Sequence, residues 1–365
     1  MAEAAQPLRP PIPSNLDGTS SPIIPTKLPT DDLPTETSTV KPTSYLPQLQ
    51  RDGFVLIPSL LPPHLLLAAQ ATSKYLVGRS RPVPKSPSDK VFWPHVRTVP
   101  KQYPPWPKLT DLTAQQRQDA NIWGIQHLLH PDLESLRDVY AEVYFCAQIL
   151  DVVRQLLAEP NGEQPVRDDE LVMELFNLLI SPGRKTDFEL EWHRDDIRPD
   201  VSMEEEERLL REKAPGGRQL HAQYNIALFE DESLVVVPGS HRRARTEKER
   251  GARKYDQLDD EIRVSLKPGD AVFYDSNILH RGVYKGIDET DELGRMTLHG
   301  SVGLKGFGEE RARQVLQHAV GEWIDRPEAE FNIQDEQKKA RAERMRKALV
   351  EMGRGKENIG YSLEG

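Results

Sequence analysis

Apolar positions change period part-way along the chain. Between residues 62 and 76 they recur at helical spacing, with Leu65, Leu66, Ala69 and Tyr75 on one face and Pro62 and Pro63 where a helix would begin. Ahead of this lies a short apolar run, Phe54 to Ile57, behind an aromatic entry at Tyr45. Residues 133–158 repeat the helical period through Leu136, Val139, Tyr140, Val143, Leu150, Val153 and Leu157. In between, residues 80–110 set Phe92, Trp93, Tyr103 and Trp106 among prolines that block regular structure, which predicts a long packed loop. From Leu171 the pattern shortens to runs rich in β-branched and aromatic residues: 171–180, 188–193, 219–229, 234–237, 262–266, 271–274 and 296–304. Pro182-Gly183, Pro238-Gly239 and Pro268-Gly269-Asp270 punctuate them.

Helices followed by many short strands, without strand–helix alternation, predict a mainly β fold with flanking helices, a sandwich or barrel. The predicted division is a helical part over 45–165 and a β core over 166–308. The acidic stretch Asp195 to Arg211, with Glu204 to Glu207, reads as a loop inserted between strands. From residue 309 to 365 the chain turns charged and helical, and the expectation is a solvated helix packed on the outside.

Composition sharpens the boundaries. Ten of the thirty prolines fall within the first 47 residues, and no Phe, Trp or Tyr precedes Tyr45, so residues 1–44 are expected to form a disordered arm. No run approaches the ~18 to 20 apolar residues of a membrane span. The start MAEAAQPLRP lacks a secretory apolar region, so a cytoplasmic protein with no membrane partner is expected. A single cysteine, Cys146, excludes an internal disulfide and a cysteine-based zinc site, so any metal must be held by His and carboxylate. The net charge of −10 works against a nucleic-acid surface and favours a small-molecule site.

The candidate chemistry begins at Glu191-Trp192-His193-Arg194-Asp195. In extended chain, residues i and i+2 point the same way, so His193 and Asp195 can reach one metal from one face. The apolar run from Ala271 ends at His280, which would sit inside the sandwich or at its mouth. Two histidines and a carboxylate on one octahedral face leave the other open, as a non-haem Fe(II) oxygenase requires. In Arg295-Met-Thr-Leu-His-Gly-Ser301, Arg295, Thr297, His299 and Ser301 share a face, and Arg295 could bind a carboxylate through its planar fork.

At this point the sequence resembles the phytanoyl-CoA dioxygenase family of Fe(II)/2-oxoglutarate oxygenases. The likeness runs from Tyr45 to Leu304 through Asp52-Gly-Phe-Val-Leu-Ile57, Trp192-His193-x-Asp195, Leu234-Val-Val-Val-Pro-Gly-Ser-His241, Pro268-Gly-Asp270, His280-Arg-Gly282 and Arg295. It implies a double-stranded β-helix, a jelly-roll barrel of cupin-like type. It also implies iron ligands at His193, Asp195 and His280, and a 2-oxoglutarate anchor at Arg295, aided by Thr297. The cofactor set would be Fe(II), 2-oxoglutarate and dioxygen, and the reaction hydroxylation of a small or lipid-like substrate with release of succinate and CO2. Asp195 speaks against a halogenase, which usually replaces the carboxylate. Three features depart from the family: the acidic insertion, a turn lengthened by Asp288 to Glu292, and the lack of a Ser-Lys-Leu type ending, so a peroxisomal address does not transfer.

Other residues compete for roles. Asn177 and Gln223 are candidates to meet the 2-oxoglutarate carboxylates, and Asn225 could line the same cavity. His221, His241 and His299 are rival ligands, and Asp196 could replace Asp195 only if the strand has already ended. The basic stretch from Arg242 to Lys254 could meet the phosphates of a CoA thioester or balance the acidic insertion. His95 could wall a pocket. Two further readings stay open: a non-catalytic jelly-roll binding protein, and a cupin-like metalloenzyme that does not use 2-oxoglutarate.

Overall fold

A computed structural model of the chain describes residues 45–80, 96–99, 121–161, 164–183, 187–287, 294–306 and 309–353. The strands are β1 (Phe54–Ile57), β2 (Val96–Val99), β3 (Asn121–Ile125), β4 (Leu171–Ile180), β5 (Phe188–Glu189), β6 (His221–Ala227), β7 (Leu234–Val237), β8 (Ile262–Arg263), β9 (Ala271–Tyr274), β10 (Leu279–Tyr284) and β11 (Met296–Leu304). They form a large sheet in the order β1-β9-β6-β11-β4-β3-β2 and a small one in the order β5-β10-β7-β8, with antiparallel neighbours throughout. The helices are α1 (Leu46–Asp52), α2 (Pro63–Ser80), α3 (Ser135–Tyr144), α4 (Ala147–Leu156), α5 (Met203–Lys213), α6 (Glu247–Gly251), α7 (Glu309–Gln317) and α8 (Glu336–Gly353). This is the expected mainly β, jelly-roll type of core with flanking helices.

Register sorts the side chains of the large sheet. His299 lies opposite both Asn177 and Asn225, and Thr297 opposite Leu179 and Ala227, so these residues share one face. That face holds most of the sheet's polar residues. The reverse face, with Phe176, Leu178, Tyr224, Ile226, Phe273 and Leu298, is apolar and joins residues of α2, α3, α4 and α8 in the principal core. Burial of that apolar layer drives the fold, and the polar face is left for the site.

Several expectations need correction. The helical stretch 133–158 is two helices, because Cys146 is extended and turns the chain between α3 and α4. Aromatic packing rewards the break. Tyr144 sits 5.1 Å from Phe176 and Phe145 4.9 Å from Phe331, all edge-on. The Tyr144 hydroxyl donates to Ser301 O at 2.6 Å and accepts from Glu174 N at 2.9 Å. Both partners lie where the β4/β11 register slips, so one buried hydroxyl satisfies backbone groups that the irregular ladder leaves.

The run from Ala271 to His280 is not one strand. β9 ends at Tyr274, and Asp275 closes a turn by accepting from Asn277 N at 2.7 Å, which carries the chain across to β10 in the other sheet. The acidic insertion is not a loop but contains α5. Ser202 caps it by accepting from Glu205 N at 3.1 Å, with acids in its first turn and Arg211 and Lys213 in its last. α1, β2 and β3 were not foreseen; each is short, and β2 falls inside the stretch expected as loop. The proline-rich arm, Phe92, Trp93, His95, Tyr103, Trp106, Asp288 to Glu292 and residues 354–365 lie outside the described residues.

The C-terminal segment is also no outlying solvated helix. Ala342, Met345, Ala348 and Leu349 of α8 are buried in the principal core beside Trp323 and Phe331. Arg346 donates to Ile324 O at 2.7 Å, and Lys338 reaches Glu142 at 2.8 Å. Leu349→Ala should therefore cost about 3 kcal/mol in urea unfolding, through lost burial and the cavity left behind. A loss below about 1 kcal/mol, the scale of a surface change, would return the helix to the outside.

Candidate metal and co-substrate site

β5 leads into the segment that carries His193 and Asp195. His193 N donates to His280 O, and His280 N donates to His193 O, both at 3.0 Å. This reciprocal pair sets the two side chains next to each other on one face, with ring centroids 4.3 Å apart. Asp195 N donates to Ser276 O at 2.9 Å and fixes the next step of the chain. Asp195 Oδ1 then lies 3.5 Å from His193 Nε2 and 3.7 Å from His280 Nε2. Among the described residues these three form the one group of His, Cys, Asp or Glu whose ligand atoms lie within 4.8 Å of one another.

Tautomers follow from the backbone. His193 Nδ1 is 2.7 Å from Glu191 O, and His280 Nδ1 is 2.9 Å from Ile278 O. A carbonyl can only accept, so each Nδ1 carries a proton, and each Nε2 is left on the Asp195 side as the atom that could bind a metal. Burial lowers the His280 pKa to about 4, and His193 adds to the effect. Burial alone would raise the Asp195 carboxyl, but His280, His193 and the Gln223 amide outweigh it and hold the acid well below its ordinary range. A neutral imidazole beside an ionised carboxylate is the protonation state that a divalent metal needs.

The other sequence candidates occupy distinct positions. Gln223 donates to Asp195 Oδ2 at 2.8 Å, so it orients the carboxylate rather than reaching a cofactor directly. Asp196 turns away to accept from Ser276 Oγ at 2.5 Å and lies 3.6 Å from Arg311 Nη1. Asn177 Oδ1 accepts from His127 N at 3.0 Å, a brace for the β3/β4 side of the sheet. Thr297 donates its hydroxyl to Asp231 Oδ2 at 2.6 Å. His299 Nδ1 pairs with Asn225 Oδ1 at 2.8 Å. His241 wedges beside Gly53, with Nε2 3.2 Å from Gln50 O. Among the described residues the buried Nε2 of His221 meets no hydrogen-bond partner. None of these three histidines joins the metal group.

Arg295 is held by Asp231, which sequence reasoning missed. Its Nε lies 2.8 Å from Asp231 Oδ1, and its guanidinium stacks 4.5 Å from the Tyr284 ring centroid. The side chain is 8% exposed, and among the described residues neither Nη meets a hydrogen-bond partner. A buried fork with unused donors fits a carboxylate anion, such as the distal end of 2-oxoglutarate. The Asp231-x-Ser233 turn, in which Ser233 N donates to Asp231 Oδ1 at 2.8 Å, was the available signal.

The basic stretch is spent partly on its own helix α6 and partly on the acidic insertion. Arg243 pairs with Glu249 at 2.6 Å, and Arg245 and Arg250 both reach Glu206 of α5. These three arginines are therefore ion-paired within the protein rather than held open for phosphates.

The phytanoyl-CoA dioxygenase family model matches residues 49–283, more than half of the chain. The chain belongs to that family, and by class it is an Fe(II)/2-oxoglutarate-dependent oxygenase. Among solved structures, AviO1 from Streptomyces viridochromogenes Tue57 shares 17% identity, over 73% of this chain and 96% of that one, at a TM-score of 0.45. EctD from S. alaskensis, solved with 2-oxoglutarate and 5-hydroxyectoine, shares 16% identity over 78% and 81%, at 0.44. HygX from Streptomyces hygroscopicus, solved with nickel and 2-oxoglutarate, shares 16% over 73% and 88%, also at 0.44. No curated protein matches the chain. Among the described residues no helix is long and apolar enough to cross a membrane.

Two outcomes are expected. Gln223→Ala should weaken Fe(II) binding about tenfold in anaerobic titration, because Asp195 loses the donor that orients it; unchanged affinity would make Gln223 dispensable. Burial, with Arg97 adding to it, lowers His299 from 6.5 to about 3. Burial also lowers His318 to about 4. The unfolded chain takes up these protons first, so their contribution is full above pH 6.5 and is lost as pH falls toward 4. The melting temperature of the metal-free protein should fall across that window, and His318→Gln should flatten the fall.

Proposed function

We propose that this protein is an Fe(II)- and 2-oxoglutarate-dependent dioxygenase that hydroxylates an unactivated C–H bond of a small or lipid-like organic substrate, with succinate and CO2 as co-products. The observation that carries the reading is the His193–Asp195–His280 group, in which both Nε2 atoms face one carboxylate oxygen. Two imidazoles and one carboxylate are the donor set of non-haem Fe(II) oxygenases. Fe(II), when bound, supplies the activation of dioxygen coupled to decarboxylation of the co-substrate.

The chain's own residues bind and orient. Glu191 O and Ile278 O hold the imidazoles in the ligating tautomer, and Gln223 occupies the second oxygen of Asp195. Arg295 would take the far carboxylate of 2-oxoglutarate through its unused Nη donors, while Asp231 fixes the guanidinium and Thr297 fixes Asp231. Asp231 stays ionised because Arg295, Thr297 and Ser233 outweigh the burial that would raise it. Retention of Asp195 as the acidic ligand speaks for hydroxylation over halogenation.

The test is an anaerobic titration with Fe(II) and then 2-oxoglutarate, followed by succinate assays. A weak visible charge-transfer band of the chelated 2-oxo acid is expected, absent from His280→Ala. Arg295→Ala should still bind Fe(II) but raise the Kd for 2-oxoglutarate by roughly 10- to 100-fold, the loss of one charge-assisted fork. Bound iron without any band would make this a metalloenzyme that does not use 2-oxoglutarate. Failure to bind iron would leave a jelly-roll binding protein.

A further inference from the structure

Arg194 stands between two of the candidate metal ligands, and its side chain leaves on the opposite side of the chain from theirs. Its guanidinium is fully buried and touches three separate elements. Nε donates to Glu206 Oε1 of α5 at 2.7 Å, Nη2 donates to Arg243 O at 2.8 Å, and Nη1 donates to Asn277 O in the turn between β9 and β10. That turn also supplies Ser276 O, the acceptor for Asp195 N.

Glu206 is the centre of this knot. Its side chain is fully buried, and its two oxygens accept from Arg194, from Arg245 Nε at 2.8 Å, from Arg245 N at 3.2 Å and from Arg250 Nη2. Arg245 in turn donates to Arg198 O and Pro199 O, both at 3.1 Å, and Arg250 donates to Val201 O at 2.7 Å. One carboxylate therefore gathers the segment that follows Asp195, the loop after β7 and the β9/β10 turn. A buried charge in such a knot is costly to form and fixes geometry strongly once every partner is in place.

We propose that Glu206 is a positioning residue for the metal site. Through Arg194 it holds the His193–Asp195 segment in its ligating conformation, so the acidic insertion tunes metal affinity as well as covering the fold. The proposal rests on the reading of His193, Asp195 and His280 as the metal ligands. Arg250 provides the internal control. It shares Glu206, but its other side-chain contacts are Val201 O at 2.7 Å and Arg245 O at 3.3 Å, both beyond the ligand segment, and its loss leaves the Arg194–Glu206 bond intact.

The test compares the wild type with Glu206→Gln, Arg194→Lys and Arg250→Ala by anaerobic Fe(II) titration, read through the 2-oxoglutarate charge-transfer band, with melting temperature measured in parallel. Glu206→Gln should raise the Fe(II) Kd about tenfold or more and alter the band, as loss of a group behind a ligand does. Arg194→Lys keeps the charge but loses the fork, so it should shift affinity in the same direction and remains informative if Glu206→Gln fails to fold. Arg250→Ala should melt lower yet bind Fe(II) within about twofold of wild type, since it spares the metal-side bond. Unchanged affinity in Arg194→Lys, or an affinity loss in Arg250→Ala equal to that in Glu206→Gln, would overturn the proposal and leave the knot a purely structural device. A wild type that binds no iron would instead defeat the underlying site assignment.

Discussion

The reciprocal backbone pair between His193 and His280 is the constraint on which the site depends. Two hydrogen bonds of 3.0 Å join a segment that is otherwise irregular to the second residue of β10. Without that pairing, nothing in the local chemistry of Trp192 to Asp196 would set two imidazoles side by side. With it, the alternation of extended chain brings Asp195 to the same face, and the carbonyls of Glu191 and Ile278 set the tautomers. The metal site is thus written mainly in backbone geometry, and the side chains inherit it.

The second theme is how the protein places its buried charges. Each carboxylate near the site has a cationic or donor partner on another element: Asp231 with Arg295, Glu206 with Arg194, Arg245 and Arg250, and Glu174 and Asp196 with Arg311. A charge taken from water without a partner costs more than folding can readily offset, so such groups either pair or lose their charge. Arg295 departs from this rule. Asp231 is its ion partner at 2.8 Å from Nε, but none of its three guanidinium nitrogens has a hydrogen-bond partner of good geometry among the described residues, which suits the group to a further anion. Arg311, by contrast, is committed to Glu174 and Ser301 and serves to tie α7 to the segment after Asp195.

Much of this could be read in the sequence, for identifiable reasons. β4, β7 and β11 begin and end where their apolar runs do, because Pro-Gly turns or polar stretches bound them. His193 and Asp195 were legible because a two-residue spacing has one meaning in extended chain. The Asp275-Ser-Asn277 turn was not, since its three residues sit inside an otherwise apolar run and only the Asp275 hydrogen bond reveals the change of sheet. α5 was misread although Ser202-Met-Glu-Glu205 is a capping signature, because its density of charge suggested a solvated loop. Glu206 was invisible for a deeper reason. An acidic residue in a sequence rich in acids carries no mark of burial, and its importance comes from arginines far along the chain.

The boundary of the family match adds a last consideration. It ends at residue 283, after His280 but before Arg295, while α7 and α8 lie wholly beyond it. The ligand triad thus falls in the matched part, while Arg295 lies beyond it, immediately before β11, a strand paired with both β4 and β6 at the centre of the large sheet. Burial of its apolar face favours the register of β11, and Met345 and Leu349 of α8 belong to the same core as Met296, Leu298 and Val302. The C-terminal segment therefore supports the site without touching the metal. It packs against β4, to which β11 is paired, and so backs the strand that follows Arg295, which is why a segment so charged in sequence nonetheless turns an apolar face inward.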